Sequence, residues 1–436
     1  TEPMRILLSA FSCGPHRGSE EGVGWNWAIE AARLGHEVIA LTQTELQGEI
    51  EAEVASGRLP PTLRFEFFMP PWLDRLQRKG VALGFEQLTW HLVHLVWQVL
   101  AYRYARRHLA TWQVVVVHHI TFSGIRHPTL MGRLPVPLVL GPLGGGERAP
   151  FALRRGLGWR GWLTELVRDV HTALIRFDPI TRRACADALV VYVKTEQSRQ
   201  ALPGQWRDKT ELHLEIGTRE AAATPPAGRA GGAPLRLLFA GRFLYWKGMH
   251  LGLRGLAELL GRGVEARLTM LGAGPDERAW RQLAGELGIG HAIEWLPWIE
   301  HARIGELYRR HDALLFPSLH DSSGNVVLEA LVHGLPVVCL DIGGPAELVD
   351  ARCGRVVATA ERSEAQCARG LADALEELAR SDDLLRQLSD GARARARTLR
   401  WPELVGSLYD DVSRRLQRRS TRAPDLTINR AHARQL

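Results

Sequence analysis

The sequence predicts an α/β protein made of two doubly wound halves. Three observations predict it. Short apolar, β-branched runs alternate with helical patterns along most of the chain. The alternation breaks once, at the Ala-, Pro- and Gly-rich stretch "REAAATPPAGRAGGAP" (219–234), and then resumes. Finally, 436 residues, 45% of them hydrophobic, are too many for one core and enough for two.

In chain order, "RILLSAF" reads as a strand, "EGVGWNWAIEAARLG" as a helix ending at Gly35, and "HEVIALTQ" as the next strand. "VVVVHHI", "PLVLGPLGGG" and "ADALVVYVKT" supply further strands before the break. After it come the strand "LRLLFAGRF", the helix "HLGLRGLAELLG", the strand "ARLTMLGAG" and the helix "DERAWRQLAGELG". The strand "IEWLPW", the helix "HARIGELYRRH", the strand "DALLFPS", one more helix and the strand "LPVVCLD" follow. Near-continuous apolar strands of this kind suit parallel sheets covered on both faces. The expected divisions are 1–218, 219–400, an amphipathic helix over 401–418, and a flexible tail over 419–436.

Composition narrows the function. The net charge of +7 favours anionic partners such as nucleotides, phosphorylated substrates or a membrane surface. Basic residues are spread along the chain and form no nucleic-acid-binding motif, so no nucleic acid is expected. The five cysteines, Cys13, Cys185, Cys339, Cys353 and Cys367, form no C-x-x-C pair, which predicts neither a zinc site nor a disulfide framework. A strand follows Met4 directly, so no signal peptide and a cytoplasmic location are expected. The apolar stretch "LTWHLVHLVWQVLAYRYA" (88–105) carries two His, a Gln and an Arg, and makes a poor transmembrane span.

In open α/β sheets, ligands bind beyond the carboxyl ends of the strands, and five such turns are specialised. "CGPHRGSEEGVGWNW" is a glycine-rich turn into a helix, with Glu20, Gly22 and Gly24. The alternative there is an ordinary capped loop. His118 and His119 end "VVVVHH"; alternation puts one of them toward the cleft, and the competing reading is a core and a surface histidine. "GPLGGGE" places Gly144 and Gly145 where a ligand could approach the backbone, or where a loop simply flexes. In "AGRFLYWKGMH", Arg242 and Lys247 suit a pyrophosphate; alternatively they are solvated cations. The fifth is "DSSGNVVLEA", where free amides of Gly324, Asn325 and Val326 open a helix and Glu329 follows a little over one turn later. A carboxylate at that depth can hold a ribose, or form a salt bridge on the helix.

Taken together, "GRFLYWKG", "LGAGP" and "PSLHDSSGNVVLEALVHGLPVV" resemble the C-terminal half of retaining GT-B glycosyltransferases, glycosyltransferase family four. The pattern there is Gly-Arg…Lys-Gly, Gly-x-Gly-Pro, then Pro-Ser-x-x-Glu-x-Phe-Gly-x-x-x-x-Glu-Ala. Here the second Glu is Glu329, Asp321 replaces the first, and Ser323 replaces the Phe. The resemblance is specific over about 236–350 and looser in "GSEEGVGW", "VVHH" and "GPLGGGE". It implies two Rossmann-like domains facing across a cleft, acceptor-binding then donor-binding, with the 401–418 helix crossing back to the first, and transfer of a hexose from a nucleotide diphosphate sugar to a hydroxyl with retention. Arg242 and Lys247 would hold the diphosphate with the Gly324, Asn325 and Val326 amides, and Glu329 the ribose. Asp321 would face the donor sugar. His118, with His119 as substitute, would lie near the anomeric carbon, and Gly22 and Gly24 would border the diphosphate and acceptor. Glu20, Gly144 and Gly145 would line the acceptor side. Neither metal nor cofactor is expected. The acceptor would be a sugar, a lipid-linked glycan or a small aglycone. The Trp- and Arg-rich segments 72–112 and 151–184 are expected either to pack as core helices or to touch the inner membrane face. A GT-B nucleotide-sugar epimerase and a non-catalytic nucleotide-sugar-binding protein are the alternatives.

Overall fold

The computed structural model describes residues 2–82, 86–127, 129–219, 228–229 and 232–422. Most of the expected 219–234 linker and of the 419–436 tail lies outside these residues.

The first half contains strands β1 (Arg5–Ser9), β2 (Glu37–Thr42), β3 (Leu63–Phe67), β4 (Val116–His119), β5 (Leu138–Leu143), β6 (Ala188–Val193) and β7 (Thr210–Leu212). They form one sheet in the order β3-β2-β1-β4-β5-β6-β7, with every pairing parallel. The second half contains β8 (Leu235–Ala240), β9 (Ala266–Leu271), β10 (Ile293–Leu296), β11 (Ala313–Phe316), β12 (Val337–Leu340) and β13 (Gly354–Val357). Their order is β10-β9-β8-β11-β12-β13, again all parallel. Each sheet therefore reverses its winding once, between β1 and β4 and between β8 and β11.

The central strands are apolar because helices cover both of their faces: Ile6, Leu7 and Leu8 of β1 and Leu314, Leu315 and Phe316 of β11 are all fully buried. The alternation read from the sequence is thus that of two doubly wound sheets. The last helix, Trp401–Arg422, runs past the expected end at 418 and lies against the first half. Its Tyr409 hydroxyl meets His118 Nδ1 at 2.8 Å, and its Asp411 accepts from Tyr192 at 2.8 Å.

Of the Trp- and Arg-rich segments, Glu86–Trp112 packs largely as a core helix, with Trp97 and Trp112 buried. The helix Gly158–Ile175 does the opposite and turns its apolar side chains outward. No helix among the described residues is long and apolar enough to cross a membrane.

Candidate functional site

A crevice opens in a doubly wound sheet where the loops of two neighbouring strands leave in opposite directions. In the second half these are the loops after β8 and β11, which carry Arg242 to Gly248 and Pro317 to Gly324. Two glycines shape them. Gly248 (φ 69°) and Gly324 (φ 74°) each precede a helix in the left-handed conformation. A Cβ on Gly248 would lie 1.9 Å from the Pro317 carbonyl oxygen, so only glycine lets the two loops touch.

Lys247 and Asp321 meet across this crevice, Nζ to Oδ2 at 2.5 Å. Asp321 Oδ1 also accepts the Gly324 amide at 2.9 Å and the Ser323 amide at 3.3 Å. Burial alone would raise the Asp321 carboxyl; Lys247 and the two amides outweigh it and hold it below its ordinary value. The helix Asn325–Val332 then starts with no side-chain cap, which leaves its first amides, from Asn325 and Val326, without an intrahelical acceptor. Arg242, two residues past the end of β8, is exposed.

Glu329 lies five residues beyond Gly324, ~7.5 Å further along the helix at 1.5 Å per residue. It is half-buried, and the Tyr308 hydroxyl donates to its Oε2 at 3.0 Å. An acid in this apolar helix is thus held by a buried phenol.

The first half closes over the same loops. A Cβ on Gly144 would lie 3.1 Å from Ser322 Cβ, so the glycine loop after β5 abuts the loop after β11. Gly145 next to it donates its amide to Glu147 at 2.9 Å. Lys194 pairs with Glu215 at 2.5 Å in a buried contact, and Glu215 also accepts from the Ser323 hydroxyl. Glu20 takes the Phe122 amide at 3.0 Å; burial raises its carboxyl, opposed by Lys194. Glu165 is fully buried, and its Oε1 meets His320 Nε2 at 2.9 Å and the Tyr245 hydroxyl at 3.0 Å. His320 in turn stacks on Trp246, centroids 5.1 Å apart.

Lys194, Glu215, Glu165 and His320 escaped sequence reasoning. Only the packing of the helix Gly158–Ile175 with its polar side inward brings Glu165 to His320 and Tyr245. The one available signal was a Lys directly after the apolar strand β6.

Several expected site residues lie elsewhere. His118 is fully buried, with Nδ1 on the Tyr409 hydroxyl and Nε2 on the Gly141 carbonyl at 2.7 Å, so it does not face the cleft. His119 is buried on the other face of β4, with Nδ1 at 3.2 Å from the Ser9 hydroxyl. A Cβ on Gly22 would meet the Arg17 carbonyl at 2.3 Å, and one on Gly24 the Ser12 carbonyl at 2.2 Å. These two glycines admit the chain's own backbone instead of a ligand. The Gly324 amide is already held by Asp321, and Asp321 faces Lys247 instead of open space.

Burial pulls His118 down to about 4 and His119 to about 3. Unfolded, each would titrate near the ordinary ~6.5. As pH falls through that window the unfolded chain takes up protons that the native core refuses. Stability therefore drops, by up to about 1.4 kcal/mol per pH unit for each histidine. Urea unfolding at pH 7 and pH 5 should show the loss, and His118→Gln should make the pH dependence shallower. An unchanged slope in that variant would mean His118 is not held neutral in the core.

The family described as "Glycosyl transferases group 1" matches residues 225–395. A D-inositol 3-phosphate glycosyltransferase of Nocardia farcinica is 32% identical over 327 residues, 64% of this chain and 70% of that protein. One of the same name from Actinosynnema mirum is 33% identical over 275 residues, 60% of each chain. Among the relatives the matched share of their own length ranges down to 34%. A lipopolysaccharide outer core galactosyltransferase, WaaB, shares the fold with a TM-score of 0.60 at 11% identity, covering 94% of this chain and 99% of that one. Anabaena HepE, solved with UDP, has a TM-score of 0.56 at 14% identity, covering 94% and 100%. The match of the second half to a glycosyltransferase family, the alignment through both halves to a glycosyltransferase, and two facing sheets with the GT-B architecture agree: this chain is a member of the group 1 glycosyltransferases.

Proposed function

We propose that the chain is a retaining, metal-independent hexosyltransferase that moves a sugar from a nucleotide diphosphate sugar to a hydroxyl acceptor. It would work in the cytoplasm, with peripheral contact at the inner membrane face. The observation that carries this reading is the uncapped start of the helix Asn325–Val332, set behind Lys247 and Asp321 at the point where the second sheet reverses its winding. Arg242 stands just past β8, and Glu329 one turn further along the helix. A diphosphate would take over Lys247 from Asp321 and occupy the free amides, leaving Asp321 to a sugar hydroxyl and Glu329 to the ribose. Because Anabaena HepE was solved with UDP and with UDP-glucose, UDP is the first base to test.

In this reading the bond from the anomeric carbon to the diphosphate oxygen breaks, and negative charge grows on the leaving group. Lys247, Arg242 and the helix amides stabilise that charge where it develops, in a crevice the first half shields from water. The acceptor oxygen bonds to the anomeric carbon on the same face, and its proton passes to the departing diphosphate. The acceptor would be a sugar, a lipid-linked glycan or a small aglycone; D-inositol 3-phosphate, for which the relatives are named, is a soluble compound to test first. Gly144 against Ser322, and Lys194 and Glu215 at Ser323, put first-half groups on the donor loop. In this reading the first half is the acceptor domain that closes on the donor loop.

Glu329→Gln is expected to keep the fold and weaken donor binding by roughly 1.5 to 3 kcal/mol, the worth of a charge-assisted hydrogen bond. Calorimetry with UDP-sugars checks it, and unchanged affinity would remove Glu329 from the site. EDTA should leave transfer intact; inactivation reversed by manganese would overturn the metal-free reading.

A further inference from the structure

The helix Gly158–Ile175 is amphipathic the wrong way round for a helix packed on a core. Trp159, Leu163, Val167, Val170 and Leu174 are exposed, at spacings that align them in one stripe, and Phe177 just past the helix end extends it. Trp159 and Phe177 are 73% and 71% exposed. The opposite side holds the charges. Glu165 is tied to His320 and Tyr245; Asp169 is tied to Arg148 at 2.8 Å and Arg154 at 2.7 Å; and the Thr172 hydroxyl accepts from Arg126 at 2.6 Å. An outward apolar stripe this long on a folded chain marks a contact surface.

Charge decides what it contacts. Arg155, Arg160 and Arg176 are exposed around the stripe, and Arg160 lies over the Trp159 ring at 5.2 Å. The acids of the segment turn away: Glu165 is buried, and Asp169 and Asp178 are part-buried and engaged, Asp178 as a helix N-cap. A second copy would set the same cations against each other across a twofold axis. An anionic bilayer instead gives the stripe an acyl boundary, the Trp rings a headgroup level and the arginines phosphates.

We propose that this face is a docking surface for an anionic lipid bilayer. The helix lies in the plane of the membrane. Its inner side, through Glu165, holds the Tyr245 and His320 loops, so docking seats the cleft at headgroup level, where a membrane-borne acceptor hydroxyl can reach it. The link to the acceptor rests on the transfer reading, whereas the docking is measured without it.

The test is co-sedimentation of the full chain with phosphatidylcholine vesicles, with and without 30% phosphatidylglycerol, at low and high salt. The proposal expects pelleting with the anionic vesicles, weakened by salt. Trp159→Ser/Val167→Ser/Phe177→Ser should bind at least tenfold more weakly at an unchanged Tm, because all three side chains are exposed. Leu92→Ser/Leu95→Ser, on the Glu86–Trp112 helix, should bind as the parent does. A parent that stays in the supernatant, or a triple variant that pellets equally, overturns the proposal. So does a lipid-free dimer that the triple variant converts to monomer, because the occupant is then a second copy. UDP affinity of the same samples keeps the two readings apart: pelleting without nucleotide binding leaves the docking surface and removes the donor site.

Discussion

Lys247→Ala is expected to lower kcat by about two to three orders of magnitude, the usual cost of removing one group aimed at developing charge. It also strands Asp321, whose side chain is only 18% exposed and otherwise has just the Ser323 and Gly324 amides to satisfy it. Breaking a buried pair by removing one partner costs up to about 3–5 kcal/mol, and part-exposure here puts the loss at the low end. The two effects can be separated. Lys247→Ala/Asp321→Asn should recover most of the stability, because no charge is left unpaired, and none of the turnover. Donor turnover and urea unfolding of both variants provide the check. If the double variant regained activity, Lys247 would serve only to hold Asp321, and the electrostatic role assigned to it would be wrong.

Glu165→Ala should be the most damaging change outside the donor loops. It removes a fully buried carboxylate shared by His320 and Tyr245, leaving a buried imidazole and a half-buried hydroxyl without their acceptor. About 1–3 kcal/mol is expected for each polar group left unsatisfied, with a raised donor KM, since His320 precedes Asp321 and Tyr245 precedes Lys247 by two residues. Glu165→Gln keeps an acceptor for the Tyr245 hydroxyl and should lose less on both counts. Thermal unfolding and donor KM measured together decide it. A Glu165→Ala protein with normal KM would show that the carboxylate holds the helix and not the donor loop.

The second half was legible because its signals are local. The Gly-Arg…Lys-Gly turn and the Asp-Ser-Ser-Gly-Asn turn each lie in one contiguous stretch, and a helix start at Asn325 follows from Gly324 and the apolar run behind it. The first half was less legible. Strand alternation shows that His118 and His119 point to opposite faces of β4, but both faces are covered, one by the returning helix with Tyr409 and the other by the helix Glu86–Trp112 with His94. Gly22 and Gly24 signalled a close approach correctly. What approaches is the chain's own 12–17 loop, which no spacing rule distinguishes from a phosphate.

The sequence by itself determined the two doubly wound halves, the break between them, and the turns that carry Arg242, Lys247, Asp321 and Glu329. Hydrophobic periodicity and turn chemistry act over a few residues, so these features are written in consecutive letters. Only the tertiary structure decided that Lys247 pairs with Asp321, that His118 belongs to the core, that Glu165 crosses to His320 and Tyr245, and that the helix Gly158–Ile175 faces outward with its tryptophans. Each of these depends on what lies opposite a side chain. That neighbour is placed by the order of strands in a sheet and by the closing of one half on the other, interactions between residues 74 to 291 positions apart.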